Sequence, residues 1–483
     1  LDGMPVQGVP ENAQEHVANP DANKGNRHHM RRAGVMDMTQ GPLWRMIIVY
    51  TVPIIMTGLL QLLFMAVDLI IAGRFCGSIA LAAVGATGAL INLIVNLFIG
   101  FSIGAGVGVA QGVGARDDGQ VSSIVHTAIP TAILSGLGLT VAGIIFAKPL
   151  LVMMATPDNV IDQSVAYMRM YFSGMTFMMV FNFGASILRA VGDTSSPLIY
   201  LSAAGVLNVI LNLVFVPLCG MGVEGVGLAT AISQILAAGL VIRELMRRDD
   251  ACRFFPKRMR FHRNALRKIV LVGLPAGIQG SLFSVSNVVI QSSVNSFGHI
   301  AMTGNAAAAN IEGFEYVCMN AFQQTSMNFT GQNAGARRFD RVSSITRLCL
   351  LYVSVTGIFL SALIYGFGRP LLGIYITDEA AAIDCGLIRM TYVCLPYFLC
   401  GIMDTVTGSL RGLGYSTLPM VTAIMGVVVF RVGWIMTVFR IDRFHTLDSI
   451  YVSYPISWIL TFAVEIVMFA VVLKKVRRHA GVG

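Results

Sequence analysis

Hydrophobic residues along this chain form twelve long runs, separated by short breaks rich in polar residues, glycine or proline. Each run reaches the roughly 20 residues that an α-helix needs to cross a bilayer. We predict six spans in the first half, near 46–72, 79–113, 121–146, 161–188, 197–217 and 225–246. Six more follow near 268–296, 302–330, 341–366, 382–409, 418–439 and 451–473. The pattern therefore predicts an all-α polytopic membrane protein with twelve transmembrane helices.

The two halves also repeat one another at an offset of 221 or 222 residues. Val109–Arg116 (VAQGVGAR) is matched by Thr330–Arg337 (TGQNAGAR), and Leu188–Pro197 (LRAVGDTSSP) by Leu410–Pro419 (LRGLGYSTLP). Solenoid repeats run to about 20–50 residues, so a unit of this length is a whole helical bundle. Because six spans is an even number, both halves enter the membrane in the same direction. We predict two parallel six-helix repeats around a central cavity, as in duplicated transporters.

The repeat also sets the expected domain limits. They are a disordered cytoplasmic leader at 1–40, an N-lobe at 41–246, a basic cytoplasmic linker at 247–267, a C-lobe at 268–473 and a cytoplasmic tail at 474–483. The leader is polar and rich in proline, asparagine and glycine, a composition typical of disorder. Because the chain begins with Leu1, either the initiator is missing or translation starts downstream, at Met36 or Met38.

Composition and charge agree with a membrane protein. Hydrophobic residues make up 55% of the chain, charged residues only 12%, and the mean hydropathy is +0.71, whereas soluble domains carry about 25% charged residues. The net charge of +9 is not spread evenly, since the loops on one side of the spans hold 26 Lys and Arg and those on the other hold five. This asymmetry places both termini in the cytoplasm. We expect a monomer in the cell membrane, of bacterial origin, that binds no nucleic acid.

Asp68 is the candidate ion-coupling residue of the first half. It lies six residues before Arg74, or about 9 Å from the outer end of the first span at 1.5 Å per residue. A carboxyl group at that depth must face protein or a wet cavity, which favours a functional role over a structural one. Asn208 and Asn212 lie one turn apart on the fifth span, and Thr230 lies on the sixth. These three either complete this site or hydrogen-bond between helices.

The second half carries different charges. The residue that corresponds to Asp68 is aliphatic, Val289 or Ile290, so the chemistry of the two halves is not symmetric. The charged candidates of the C-lobe are Glu312, Glu315, Asp404, Arg431 and Glu465. Arg431 falls near mid-span and needs an acid, for which Asp404 and Glu465 are at a plausible depth. The pair is either a structural ion pair or part of a transport site.

The second span contains four glycines at intervals of four, Gly100, Gly104, Gly108 and Gly112. Such a smooth ridge lets a neighbouring helix approach closely. The GxGxxG spacing of a dinucleotide site is absent from this segment, no zinc-type cysteine and histidine spacing occurs in the chain, and no ATP-binding motif is present. We therefore expect no cofactor and no structural metal.

Together these residues resemble a family, the multidrug and toxic compound extrusion (MATE) transporters. The resemblance covers about Gly41 to Arg478 and rests on VAQGVGAR and GQNAGAR, on LRAVGDTSSP and LRGLGYSTLP, on GVEGVGLATAISQ and on the long first span. It implies a transporter, not an enzyme, that exports cationic or amphipathic small molecules in exchange for H⁺ or Na⁺ by alternating access of two lobes.

The resemblance also suggests site residues. In the branch similar to the DNA-damage-inducible-F type, Asp68 matches the acid of the first span, and Asn208 and Thr230 match two of its partners. Asn212 departs from the family pattern, which has a second acid there. Gln61 matches a cavity-lining glutamine, and Met65 and Asn182 are further candidates for the substrate cavity. The glutamate of the NorM-like branch is absent, since Phe283 and Ser284 occupy its region.

Two questions stay open at this point. One acid in the first lobe favours H⁺ coupling, but Asp68, Asn208, Asn212 and Thr230 also offer hard oxygen ligands for Na⁺. The function has two rivals, a lipid-linked oligosaccharide flippase of the same superfamily and, with less support, a membrane-embedded transferase. Few first-lobe charges argue against the flippase, and the lack of HxxxxD or DxD motifs argues against the transferase.

Overall fold

The computed structural model describes residues 36–154, 156–376 and 380–481. Within these ranges the chain forms α-helices with short 3₁₀ and π-helical turns and no strand. Most of the leader predicted from the sequence, residues 1–35, lies outside the described residues. The all-α fold class is confirmed.

In the part of the first half that the structure describes, seven helices lie between residues 43 and 247. They are α1 Leu43–Ile71, α2 Ser78–Ala115, α3 Asp118–Met153, α4 Asp158–Ser173, α5 Met175–Ala190, α6 Ser195–Leu213 and α7 Val223–Arg247. Two of them continue through π-helical turns, α1 into Ala72–Cys76 and α6 into Val214–Leu218. A 3₁₀ turn at Pro256–Arg258 lies in the connection to the second half.

Within the described residues the second half contains nine helices, because two of its long runs are interrupted and a short helix, Gly368–Tyr375, is added. They are α8 Arg263–Asn295, α9 His299–Gly335, α10 Phe339–Gly366, α11 Gly368–Tyr375, α12 Ala380–Arg389, α13 Phe398–Gly412, α14 Thr417–Ala423, α15 Phe430–Met436 and α16 Leu447–His479. π-helical turns follow α12 at Met390–Cys394 and join α14 to α15 at Ile424–Val429. Single 3₁₀ turns at Val438–Arg440 and Asp442–Phe444 precede α16.

Among the residues described, ten helical runs are long and apolar enough to cross a membrane, and α4 with α5 would make an eleventh across a bend of 47°. The predicted eighth span, 302–330, lies inside α9. That helix has 37 residues, which is long enough for a crossing. It is less apolar than the ten runs because it contains many asparagine, glutamine and threonine residues. The polytopic membrane architecture is confirmed.

The sequence repeat is reproduced in the backbone. Arg116 and Arg337 have left-handed φ values of 55° and 56°. After each of them, the next amide donates to the carbonyl five residues earlier, at 3.0 and 2.8 Å. Gly192 and Gly414 have φ values of 94° and 92°, a conformation that glycine adopts without steric cost. Matching sequence blocks therefore end their helices by the same turns in both halves.

The described chain divides into two compact units, and the division falls inside two helices. One unit holds Val52–Gly277, and the other holds Gly41–Thr51 together with Ile278–Gly483. Both boundaries lie beside a proline within a helix, Pro53 in α1 and Pro275 in α8. A proline removes one helical hydrogen bond, so each division occurs where the helix is intrinsically weaker. The first turns of each repeat thus pack in the unit built mainly by the other repeat.

The start of α1 is fixed to α9 by polar and aromatic contacts. Nδ2 of Asn328 donates to the hydroxyl of Tyr50 at 2.9 Å, and the Tyr50 ring meets the edge of Phe329 at 5.3 Å between centroids. The hydroxyls of Thr51 and Thr325 lie 2.9 Å apart. Buried hydrogen bonds of this kind hold the two helices in one register.

The start of α8 is fixed to α2 by glycines. Gly100 and Gly104 of α2 lie against the backbone of α8 near Gly273 and Gly277, so closely that a Cβ on any of the four would collide. The other two glycines of the predicted ridge contact side chains of α3 instead. The ridge therefore admits two different helices, which agrees with its predicted packing role.

Candidate ion-coupling site

Three helices of the first unit position the site. Asp68 lies near the end of α1, Asn208 and Asn212 lie on the buried face of α6, and Thr230 lies on α7. About one turn before Asp68, the ring of Phe64 rests on Gly205, where any side chain would collide with it. This close approach brings α1 against the asparagine-bearing face of α6.

The four residues form a closed set of hydrogen bonds, called the Asp68 cluster below. Nδ2 of Asn212 donates to Oδ1 of Asp68 at 2.6 Å, and the Thr230 hydroxyl donates to Oδ2 of Asp68 at 3.3 Å. Nδ2 of Asn212 also donates to Oδ1 of Asn208 at 3.2 Å, and Nδ2 of Asn208 donates to Thr230 at 3.3 Å. The structure thus brings together all four residues that the sequence nominated for ion coupling.

The carboxyl group of this cluster has only neutral partners. Among the described residues, no lysine, arginine or histidine forms an ion pair with Asp68. Asn212 is fully buried, and within the same residues its Oδ1 has no hydrogen-bond partner. A carboxylate in an apolar helix bundle needs compensation for its charge. A mobile cation could compensate the charge of Asp68, since no fixed side chain of the described residues does.

Two tyrosines lie near the cluster and were missed by sequence reasoning. Tyr167 and Tyr171 of α4 are within electrostatic range of Asp68, and their rings are 5.9 Å apart. Both sit on the more polar of the two helices that form the bent pair. Their spacing of four residues, which places them on one helix face, was the available signal.

The chemistry of an amide suits a group that gains and loses a cation. Nδ2 of Asn212 donates to Oδ1 of Asp68, an arrangement that suits the ionised carboxylate. Turned by half a rotation, its oxygen would accept a hydrogen bond from a protonated carboxyl group. The cluster therefore has partners for both forms of Asp68. No group of three or more His, Cys, Asp or Glu within the described residues could hold a metal ion, so a Na⁺ site would depend on one carboxylate and neutral oxygens.

The three residues predicted to line the substrate cavity are not part of the Asp68 cluster. Gln61 and Met65 precede Asp68 by seven and three residues on α1, which places them on its face of the helix, and both are exposed. Asn182 donates to the carbonyl of Met178 in its own helix at 2.9 Å. None of the three hydrogen-bonds to the Asp68 cluster in the described part of the chain.

In the second unit, Glu312 is bound by an arginine that sequence reasoning did not pursue. Nη2 and Nε of Arg389 lie 2.6 and 3.1 Å from Oε2 of Glu312. Nη1 of Arg389 donates to Oδ1 of Asn305 at 2.7 Å, and the Tyr451 hydroxyl donates to the same oxygen at 2.8 Å. Arg389 lies within the predicted span 382–409. An intramembrane arginine implies a nearby acid, and that was the signal to follow.

The expected partnership of Arg431 with Asp404 or Glu465 is wrong. Nε of Arg431 donates to the hydroxyl of Ser457 at 2.9 Å, and its guanidinium lies 3.9 Å from the ring centroid of Tyr454. Among the described residues Arg431 forms no ion pair. An aromatic face attracts a cation through its quadrupole, so here the ring takes the place of the acid.

The two acids expected near Arg431 have other partners. Glu465 accepts from the hydroxyl of Thr407 at 2.9 and 3.0 Å. Asp404 lies within electrostatic range of Arg411, whose Nη2 donates to Oε1 of Gln279 at 2.8 Å. Each of the two acids is thus held by groups of its own unit.

Glu315 differs from the other C-lobe acids. It is 1% exposed, and within the described chain its carboxyl oxygens have no close hydrogen-bond partner, although the side chains of Ser361 and Cys394 lie beside them. It follows Glu312 by three residues on α9, so both acids point from one side of that helix. Buried groups without partners are rare enough to need a test of their own.

Comparison with known proteins agrees with this architecture. A model of the MatE family matches residues 53–214 and 275–434, one match in each repeat. A Bacillus subtilis protein named "Probable multidrug resistance protein YoeA" is 27% identical over 88% of this chain and 92% of its own length. A protein of Shewanella oneidensis named "FAD transporter" is 24% identical over 62% of this chain and 68% of its own.

Solved structures show the same fold. A transporter of Pyrococcus furiosus, described under the heading of reverse polarity of its binding pocket, superposes with a TM-score of 0.86. It is 19% identical and covers 91% of this chain and 98% of its own. A MATE protein in complex with MaL6 has a TM-score of 0.85 at 19% identity, with the same coverage of both chains.

Proposed function

The chain belongs to the MatE family of membrane transporters, and from that premise we propose that it is a secondary antiporter. In this proposal it exports cationic or amphipathic small molecules in exchange for H⁺, by alternating access of its two lobes. It is a transporter and not an enzyme. The names of the relatives, multidrug resistance proteins among them, support an efflux role.

One observation carries the choice of coupling site. Asp68 is a carboxyl group in a membrane-spanning helix, and it accepts hydrogen bonds from the neutral side chains of Asn212 and Thr230. Since no fixed cation of the described chain pairs with it, a proton or a bound cationic solute can neutralise it in turn. Competition of two cations for one carboxylate is the simplest chemistry of exchange.

The proposed cycle follows from that competition. With the protein open outward, Asp68 takes up a proton and the solute leaves. The lobes then open inward, the proton is released, and a new solute binds from the cytoplasm or the inner leaflet. Each ligand favours the state in which it binds better, and this differential affinity is what the ion gradient exploits.

Sodium is a second candidate ion because of the oxygen atoms of the cluster. Oδ1 of Asn212 is buried without a partner among the described residues, and Asn208 and Thr230 offer two more neutral oxygens beside the Asp68 carboxylate. Oxygen ligands suit a hard cation. Separately imposed H⁺ and Na⁺ gradients would show which of the two ions drives transport.

We further propose that both termini are cytoplasmic and that the protein works as a monomer in the cell membrane. The first of these rests on the 26 Lys and Arg in the loops of one side against five on the other. The protein would then have its basic α7–α8 connection on the cytoplasmic side.

The test is transport by the purified protein in liposomes. A cationic dye such as ethidium is loaded, and a pH gradient or a Na⁺ gradient is imposed separately. We expect the pH gradient alone to drive dye movement and the Asp68→Asn variant to abolish it. Glu315→Gln, which neutralises a buried acid of the other unit, is the matched control and should transport. Full activity of Asp68→Asn would refute the assignment, and movement driven only by Na⁺ would replace H⁺ with Na⁺.

A further inference from the structure

The connection between α7 and α8 is held firmly against α3. The amide of Phe255 donates to Nε2 of His126 at 3.1 Å, and the amide of Arg260 donates to the His126 carbonyl at 3.4 Å. The Thr127 hydroxyl donates to the carbonyl of Arg260 at 3.3 Å and accepts from the amide of His262 at 3.1 Å. These bonds fix the backbone of residues 253–263, called the basic-aromatic loop below.

The acids next to this loop are already bound. Nη2 of Arg248 lies 2.6 Å from Asp250, and Nη1 of Arg248 lies 3.7 Å from Asp193. Burial lowers the pKa of the Arg248 guanidinium, but the hydrogen bond and charge of Asp250 outweigh it and raise that pKa above its usual value. Asp249 lies 3.9 Å from Arg253. The negative charge of the connection is thus engaged near the end of α7.

The basic-aromatic loop itself presents cations and apolar side chains to the outside. It contains five basic residues and no acidic one: Arg253, Lys257, Arg258, Arg260 and Arg263. Three large apolar side chains are exposed among them, Phe255 by 36%, Met259 by 45% and Phe261 by 49%. The guanidinium groups of Arg253 and Arg258 each lie 4.9 Å from the ring centroid of Phe255.

The position of the loop shows what such a surface would meet. It joins two helices that are each apolar enough to cross a membrane, Val223–Arg247 and Arg263–Asn295. Its side chains therefore lie at the level where a bilayer ends. Interfacial segments bind membranes with apolar groups at the acyl boundary and Lys and Arg on anionic headgroups. Clusters of four to eight basic residues directly beside a span are typical of sites that bind anionic lipid.

We infer that the basic-aromatic loop is a docking site for anionic phospholipid headgroups of the bilayer around the protein. Phe261 and Met259 enter the headgroup region, and Arg258 and Arg260 bind the phosphates. Positive charge needed only to orient the chain would not require exposed aromatic side chains held in place by four backbone hydrogen bonds. This site is independent of the transport chemistry at Asp68.

The experiment places a reporter in the loop of the full-length protein. Phe261→Trp is reconstituted in nanodiscs that contain brominated phosphatidylcholine or the same fraction of brominated phosphatidylglycerol. Quenching of the native Trp44, Trp434 and Trp458 is measured in the unsubstituted protein and subtracted. We expect the anionic lipid to quench the new tryptophan about threefold more strongly. Met259→Trp is a second reporter if the first variant folds poorly.

Two controls make the outcome decisive. Arg258→Gln with Arg260→Gln, introduced beside Phe261→Trp, should reduce quenching by the anionic lipid to the level of phosphatidylcholine. Phe444→Trp is the matched control, since Phe444 is 44% exposed and lies 6.0 Å from the Arg443 guanidinium, but has the acid Asp442 nearby. It should show no preference. Equal quenching by both lipids, no quenching by either, or a preference that survives loss of the arginines would overturn the inference.

Discussion

The two repeats hold partly buried carboxyl groups in opposite ways. In the first, Asp68 accepts hydrogen bonds from the neutral groups of Asn212 and Thr230. In the second, Glu312 is bound by Arg389 at 2.6 Å. A carboxylate with a fixed guanidinium has its counter-charge built in, whereas one with neutral partners can exchange a proton, an ion or a solute. Duplication kept the backbone turns, and the buried charge diverged.

The comparison is not uniform within the second repeat. In the described chain Glu465 accepts hydrogen bonds from a threonine hydroxyl alone, and Glu315 accepts none at close range. If either acid exchanges cations as we propose for Asp68, the contrast between the repeats fails. The Glu315→Gln variant in the transport assay tests Glu315, and the predictions below test the rest of the contrast, from the largest expected effect to the smallest.

Removing the guanidinium of Arg389 should have the largest effect. Arg389→Met leaves Glu312 buried without its cation, and breaking a buried pair from one side costs about 3–5 kcal/mol of stability. We expect a large loss of the folded protein in a thermal unfolding assay in detergent. Arg169→Met, at an exposed arginine of α4, is the control and should change little.

The double variant Arg389→Met with Glu312→Met separates charge from packing. Because both charges are then absent, it should recover much of the stability. A normally folded Arg389→Met protein that no longer transports would instead move this pair into the transport machinery.

Removing the short hydrogen bond to Asp68 should have the next effect. Asn212→Leu deletes the donor at 2.6 Å, and a hydrogen bond to a charged group is worth about 1.5–3 kcal/mol. We expect pH-driven dye transport to slow by about tenfold or more. Asn310→Leu, at an exposed asparagine that bonds to its own helix, should transport normally. Unchanged transport in Asn212→Leu would show that the cluster is not what tunes Asp68.

A smaller effect is expected from Thr407→Val. It removes the hydroxyl that donates to Glu465 and leaves that buried carboxyl group unsatisfied, which costs about 1–3 kcal/mol. The midpoint of thermal unfolding should fall while transport per folded molecule stays the same. Thr405→Val, whose hydroxyl bonds within its own helix, is the control. Lost transport with unchanged stability would give Glu465 a role like that of Asp68.

The smallest effect is expected from Arg337→Gly, and it is stabilising. A left-handed residue other than glycine costs about 1–2 kcal/mol, so glycine at φ 56° should raise the unfolding midpoint slightly. Arg338→Gly, at φ −91°, should not. A fall in stability for Arg337→Gly would mean that the arginine side chain holds the turn together.

The Asp68 cluster could be predicted because few polar groups lie in its helices and their spacing fixes a common face. Asn208 and Asn212 are one turn apart, and Asp68 is the lone acid of its span. The pairing of Glu312 with Arg389 joins positions 77 residues apart, and helical periodicity does not tell which faces meet. Arg431 was assigned to an acid because charge alone was considered, while its partner Tyr454 carries none.

The hydrophobic pattern predicted the helices closely, but it did not predict where they are interrupted. The π-helical turns after α12 and before α15, and the 47° bend between α4 and α5, leave the apolar runs intact. They arise from packing between helices, which a pattern along one chain does not record. The split of α1 and α8 between two units was hidden for the same reason, although Pro53 and Pro275 mark the places.

The left-handed arginines at 116 and 337 have a consequence at the level of the gene. Every arginine codon lies one nucleotide from a glycine codon, and glycine would relieve the turn at either position. A single nucleotide change would therefore suffice in each repeat, yet both repeats carry arginine. Both thus place a positive charge at the same end of equivalent helices, at a small cost in backbone energy.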